Sequence, residues 1–207
     1  KICLLYKLLK KMVLKSNLRI MNFINKEYDD LHKVAVNNFN KYVNAKPFPH
    51  IVLDNFFNED ILKKIINEFP NNLDKIGIEN DSDPQKNKFA LSDYSKFGDN
   101  TKLFFNFTNS YDFIKFLNNI SGIKEPLVSD PYFVGGGLHE LRNSGHLNIH
   151  SDFNRHPKMK LDRRLNILVY LNKDWKEEYG GQLQLWDKEM KECKQNIIPI
   201  FNRMVIF

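Results

Sequence analysis

The sequence predicts an α+β protein in which N-terminal helices pack on a C-terminal β domain. Three observations carry this expectation. Up to about residue 125, apolar residues recur at the three-and-four spacing of amphipathic helices. After Pro126, short apolar runs alternate with turn residues, the pattern of a sandwich or barrel. The chain has 207 residues, 42% hydrophobic and 13% aromatic with 17 Phe, enough for one domain with a sizeable core.

The elements follow in order. Residues 1–20 form a basic leader. We expect it to be translation upstream of a start at Met21, in preference to a membrane-surface helix or a native N-terminal helix. Residues 21–125 form the mainly helical part. Leu31, Val34, Ala35, Phe39 and Tyr42 mark a helix over 26–43, ended by Lys46-Pro47. Residues 50–53 read as a strand, and Asn58 caps a helix reaching Phe69, with Glu59 and Asp60 in its first turn. The polar stretch 71–100 reads as a long surface loop. Helices over 101–107 and 110–120 follow, with Gly122 closing the second. Strands are expected at 132–134, 138–141, 147–150, 165–171, 182–186, 197–200 and 204–207, which makes 126–207 the β core.

Charge narrows the function. The net charge of +6 is carried by Lys1, Lys7, Lys10, Lys11, Lys15 and Arg19 in a leader without acidic residues, so the remainder is formally neutral. A basic nucleic-acid groove is therefore not expected. No apolar run reaches the ~18 residues of a transmembrane segment. Two cysteines, Cys3 and Cys193, allow neither a disulfide framework nor a zinc knuckle, and a reduced, cytoplasmic setting is expected. Gly135-Gly136-Gly137 lacks the Lys-Ser/Thr of a phosphate loop and reads as a site of close packing. Asp174, Glu177 and Glu178 read as a solvated loop.

The chemistry centres on His150-Ser151-Asp152. In extended backbone, residues i and i+2 share a face, so one imidazole and one carboxylate can grip a single cation. Nitrogen and oxygen donors with open positions suit iron(II) in a two-histidine, one-carboxylate set. The tripeptide alone is a weak signal and reads more readily as a surface His beside a turn Asp. Its surroundings are more specific: HSD is followed by RRLNILVYLNKDW, then YGGQLQLWD, then PIFNRMVIF. FPHIVLDNFFNEDILKKIINEF and DPYFVGGGLHELRNSG precede them.

In these blocks the sequence resembles the prolyl 4-hydroxylase-like branch of the 2-oxoglutarate and iron(II)-dependent oxygenases, over nearly all of residues 47–207. The resemblance implies a double-stranded β-helix, or jelly roll, here incomplete at its C-terminus. It implies Fe(II), 2-oxoglutarate and O2 as cofactors, with ascorbate as an accessory reductant. His150 and Asp152 match two metal ligands, and Tyr170 matches the residue that holds the distal carboxylate of 2-oxoglutarate. Asn166, Leu168 and Leu183 match pocket-lining positions. Asn154, Arg155 and Arg164 lie where a substrate would touch, and His139 and His146 are further candidates to face the site. The family's third ligand, a His, and its cosubstrate-binding Arg are expected beyond residue 207, so the chain as written should bind iron weakly. The implied reaction is hydroxylation of a prolyl or other C–H group on a protein or small molecule. Two other readings stay open: a metal-free jelly-roll binding module, and a cupin-like metal enzyme that does not use 2-oxoglutarate.

Overall fold

The computed structural model describes residues 23–82 and 85–207, so the expectation for residues 1–20 lies outside the described residues. Helix α1 spans Leu31–Val43. It begins later than its periodicity predicts because the Asp30 side chain accepts the Lys33 amide at 3.0 Å, a cap that competes with helix continuing from upstream. A short 3-10 turn, Lys26–Tyr28, precedes it. Strand β1 (Ile51–Asp54) and helix α2 (Glu59–Glu68) follow, and Asn58 caps α2 as expected by accepting the Asp60 amide at 2.9 Å.

The expected loop at 71–100 is instead structured. It contains the short helix α3 (Leu73–Ile76) and strands β2 (Ile78–Ser82) and β3 (Gln85–Leu91). Strands β2, β3 and β4 (Leu138–Leu147) form an antiparallel sheet in that order; β2 pairs with the neighbouring β3, and it is the pairing of β3 with the sequence-distant β4 that local pattern hides. Helices α4 (Asp99–Thr108) and α5 (Tyr111–Ser121) lie between β3 and β4. Glu68 caps α4, its carboxylate accepting the Asn100 and Thr101 amides, each at 3.0 Å. Gly122 ends α5 with φ of 69°, the left-handed conformation glycine takes without penalty.

The remaining strands are β5 (Ile167–Val169), β6 (Leu183–Trp186), β7 (Cys193–Ile197) and β8 (Arg203–Ile206). Strands β6 and β7 form a hairpin, and β8 sits between β1 and β5 in an antiparallel sheet. The expected strand at 132–134 is a turn, held by the Asp130 carboxylate accepting the Tyr132 and Val134 amides at 2.8 and 2.9 Å. The strand expected at 197–200 lies earlier, at Cys193–Ile197, where it pairs with β6.

Alternation divides the β1-β8-β5 sheet between two cores. Ile51, Leu53, Met204, Ile206, Ile167 and Val169 pack toward the helices, in a cluster that includes Phe56, Phe57, Phe104 and Phe113. Phe57 stands edge-on to Phe104 with ring centroids 4.8 Å apart, a favoured aromatic geometry. Val52, Val205 and Leu168 face the other way and meet Leu185 and Ile197 of the β6–β7 hairpin. The order is therefore helices, sheet, hairpin. The Arg203 guanidinium clasps Asp54 across β1 and β8 through two bonds of 2.6 and 2.8 Å, tying the N-terminal half to the C-terminal strand.

Candidate metal-binding site

Strand β4 stops at Leu147, opposite Gln85 at the start of β3, so pairing ends there. His150 and Asp152 thus lie just past the sheet in irregular backbone, and the strand expected at 147–150 is not formed. The two side chains nevertheless converge, with His150 Nε2 3.6 Å from Asp152 Oδ1.

Local bonds set this geometry. His150 Nδ1 lies 2.7 Å from the Asn148 carbonyl, which can only accept, so Nδ1 is a donor and the neutral form of the ring would have its lone pair on Nε2. This is the tautomer a metal ligand needs, held by the carbonyl partner typical of ligating histidines. Asp152 Oδ2 accepts from Asn166 Nδ2 at 3.0 Å and lies 3.3 Å from Arg163 Nη2. One carboxylate oxygen is thereby engaged, and the other is turned toward the imidazole.

The donor set fits a transition metal. Ligands about 2.1 Å from a common ion stand roughly 3–4 Å apart, depending on the angle between them. The observed separation falls within that range, and one nitrogen with one carboxylate oxygen suits iron(II). Among the described residues, no group of three or more His, Cys, Asp or Glu forms a metal cluster. His156, the only histidine after Asp152, is buried and serves the local turn: its Nδ1 accepts the Lys158 and Met159 amides at 3.2 and 3.0 Å, and its Nε2 lies 3.2 Å from Asp130.

The pocket positions read from sequence divide into two groups. Asn166 and Tyr170 flank β5 and extend its pairing, with the Asn166 amide on the Phe207 carbonyl at 2.7 Å and the Tyr170 amide on the Arg203 carbonyl at 3.0 Å. Positions 166, 168 and 170 share a face. Asn166 reaches Asp152, whereas Leu168, Tyr170 and Leu183 join the apolar cluster against the hairpin. Four residues of extended chain span about 13 Å, so this face runs from Asn166, beside Asp152, to Tyr170. Burial pushes the Tyr170 pKa up to about 12, against the opposing charge of Arg203. The hydroxyl is therefore a protonated donor at neutral pH, and no group among the described residues hydrogen-bonds to it.

The substrate candidates lie near the pair and make contacts of their own. Arg155 Nε donates to the Lys160 carbonyl at 3.2 Å, Arg164 Nη1 pairs with Glu125 at 3.3 Å, and the Asn154 carbonyl accepts the Arg163 amide at 2.8 Å. The arginine that reaches the metal pair is Arg163, which sequence reading passed over for its neighbour. Nothing in local pattern separates the two, since both precede the strand. Lys88 was missed because β3 read as loop. Burial lowers its pKa while the Asp152 charge raises it, which places Lys88 in the electrostatic field of the site. The pairing of Lys88 with Leu141 and of Ala90 with His139 puts Lys88 and His139 on one face of the β2–β3–β4 sheet.

Residues 136–207 match the family model of the 2OG-Fe(II) oxygenase superfamily. The matched stretch contains His150, Asp152, Arg163, Asn166, Leu168, Tyr170 and Leu183. The match supports a 2-oxoglutarate-dependent oxygenase, an oxidoreductase whose chemistry in general requires Fe(II), 2-oxoglutarate and O2. Among the described residues, no helix is long and apolar enough to cross a membrane.

Proposed function

We propose that the protein is an Fe(II) and 2-oxoglutarate-dependent hydroxylase of the prolyl 4-hydroxylase-like kind, acting on a prolyl or other C–H group of a protein or small molecule. The observation that carries this reading is the approach of His150 Nε2 to Asp152 Oδ1 at 3.6 Å, with the imidazole tautomer set by Asn148. The layering of the β1-β8-β5 sheet on the β6–β7 hairpin supports a double-stranded β-helix as the architecture. Overall, substrate C–H, 2-oxoglutarate and O2 become C–OH, succinate and CO2.

Iron(II), when bound, supplies the redox centre for oxygen activation. His150 Nε2 and Asp152 Oδ1 would hold it, with Asn166 restraining the second carboxylate oxygen. The Tyr170 hydroxyl, protonated at neutral pH, would donate to the distal carboxylate of 2-oxoglutarate. Leu168 and Leu183 would wall the pocket and exclude water. Ascorbate would act as accessory reductant, and the neutral body of the chain favours a substrate other than nucleic acid.

The test is titration of Mn(II), a redox-inert stand-in for iron, with and without 2-oxoglutarate. The wild type should bind Mn(II) more tightly when 2-oxoglutarate is present. His150→Ala and Asp152→Ala should each weaken binding and remove that coupling. Turnover with Fe(II) and O2 is read as succinate. Metal affinity unchanged in both variants would overturn the reading. A second reading, a metal-free jelly-roll binding module, is favoured by one observation: no third metal-binding side chain joins the pair among the described residues. It predicts binding of 2-oxoglutarate or another ligand with no metal dependence. A cupin-like enzyme would show metal-dependent oxidation without succinate.

A further inference from the structure

We infer that Arg163 is a positioning residue that, seated on Phe153, holds the Asp152 carboxylate so that a single oxygen is presented to a metal. The inference rests on reading His150 and Asp152 as a metal pair and goes beyond it by assigning a residue that touches neither metal nor substrate. The Arg163 Nη2 lies 3.3 Å from Asp152 Oδ2, on the oxygen that also accepts from Asn166 at 3.0 Å. One hydrogen bond, from Asn166, and one ion-pair contact, with Arg163, both fall on Oδ2 and leave Oδ1 to face His150 Nε2. A carboxylate tethered in this way resists swinging round to bind through both oxygens.

The arginine is itself held from below and behind. Its guanidinium carbon lies 4.5 Å from the centroid of the Phe153 ring, and its backbone amide donates to Asn154 at 2.8 Å. The side chain is 19% exposed, well screened for an arginine beside a surface loop. A planar guanidinium stacked on an aromatic face is pre-organised, and a lysine would not be. Phe153 in turn rests on Gly135. A Cβ at Gly135 would stand 2.9 Å from Phe153 Cε1, and the backbone there has φ of +73°, so only glycine seats the ring without strain. The glycine run thus acquires a role: it makes room for the ring that supports the arginine that orients the carboxylate.

Two effects of Arg163 on metal binding have opposite signs, which makes the inference testable. Its charge alone repels a cation, so if charge dominated, removing it would tighten metal binding. If positioning dominates, removing it weakens binding, as loss of a residue that orients a metal ligand typically does by 10–100-fold. The experiment is Mn(II) titration of the wild type, Arg163→Met, Arg163→Lys and Asp152→Asn, with circular dichroism and a cooperative melt to verify folding. Arg163→Gln replaces the methionine variant if that one does not fold.

Arg163→Met, which keeps the apolar stem over Phe153, should bind Mn(II) about ten-fold more weakly. Arg163→Lys, which keeps charge without the plane, should fall between it and the wild type. If Asp152→Asn loses binding while Arg163→Met binds as tightly as wild type or more so, the positioning role is overturned and the metal reading stands. If neither substitution changes affinity, the metal reading falls. The contact is then decided by a crystal structure of metal-free Arg163→Met. An Asp152 carboxylate rotated away from His150 supports positioning, and an unchanged approach overturns it.

Discussion

Replacing Asn202 should damage both the fold and the site, and the size of the effect follows from its contacts. Asn202 is 2% exposed and precedes β8 with φ of 59°. Its side-chain amide donates to the Phe57 carbonyl at 2.8 Å, and its Oδ1 accepts the Phe57 amide at 3.1 Å. Its backbone accepts from the Asn55 amide at 2.8 Å and donates to the Tyr170 carbonyl at 2.9 Å. One residue therefore stitches the β1–α2 corner to the β8 and β5 strands. Asn202→Ala leaves a buried N–H and a buried C=O on Phe57 without partners, at about 1–3 kcal/mol each. An alanine at positive φ adds about 1 kcal/mol. The sum, about 3–7 kcal/mol, is a large part of the roughly 5–15 kcal/mol that stabilises a typical protein. Asn202→Gly loses the same two bonds but not the backbone conformation, and should be less damaging by roughly 1 kcal/mol. Urea denaturation with a constant m-value measures both. If both variants lay within about 1 kcal/mol of wild type, the view that these two bonds are desolvated and irreplaceable would be refuted.

Two further outcomes are expected. Tyr170→Phe removes the donor proposed for the distal carboxylate of 2-oxoglutarate. A hydrogen bond to a charged group is worth about 1.5–3 kcal/mol, so the 2-oxoglutarate requirement should rise roughly ten-fold or more with Mn(II) affinity unchanged. Equal 2-oxoglutarate affinity in the two proteins would remove Tyr170 from that role. Glu68 governs part of the acid stability. Burial pushes its carboxyl up, but the bonds from Asn100 and Thr101 outweigh burial and hold its pKa below the ordinary value. A depressed folded pKa contributes stability that is present above the unfolded carboxylate pKa, about 4.3, and is lost as pH falls through the folded value. Glu68→Gln should lower the melting temperature at neutral pH and flatten its fall below about pH 4.3. A parallel acid limb in wild type and variant would count against this.

The helices were the most legible part of the chain because their causes are local. Asn58 and Gly122 announce their helix ends through bonds and dihedrals made within a few residues, and those caps are observed. The β elements were most legible where the chain writes a dense apolar run, as in residues 165–171 and 204–207. Strands β2 and β3 were not, since only Phe89 and Leu91 mark the buried face of β3, and one of its two edges is paired with β4, some fifty residues away. Conversely, Tyr132–Val134 is apolar enough to read as strand, yet the Asp130 carboxylate claims its amides.

The same division holds at the site. By itself the sequence determined which residues carry donor chemistry, His150 and Asp152, and the alternation that puts Asn166, Leu168 and Tyr170 on one face. Those properties belong to residue type and to the period of a strand. Tertiary structure alone decided that Arg163 rather than Arg164 meets the carboxylate, that Lys88 comes within the field of Asp152, and that Asn202 binds the halves together. Each of these depends on two segments distant along the chain being brought into contact, and which of two adjacent arginines turns inward is settled by the aromatic ring and glycine seat beneath it.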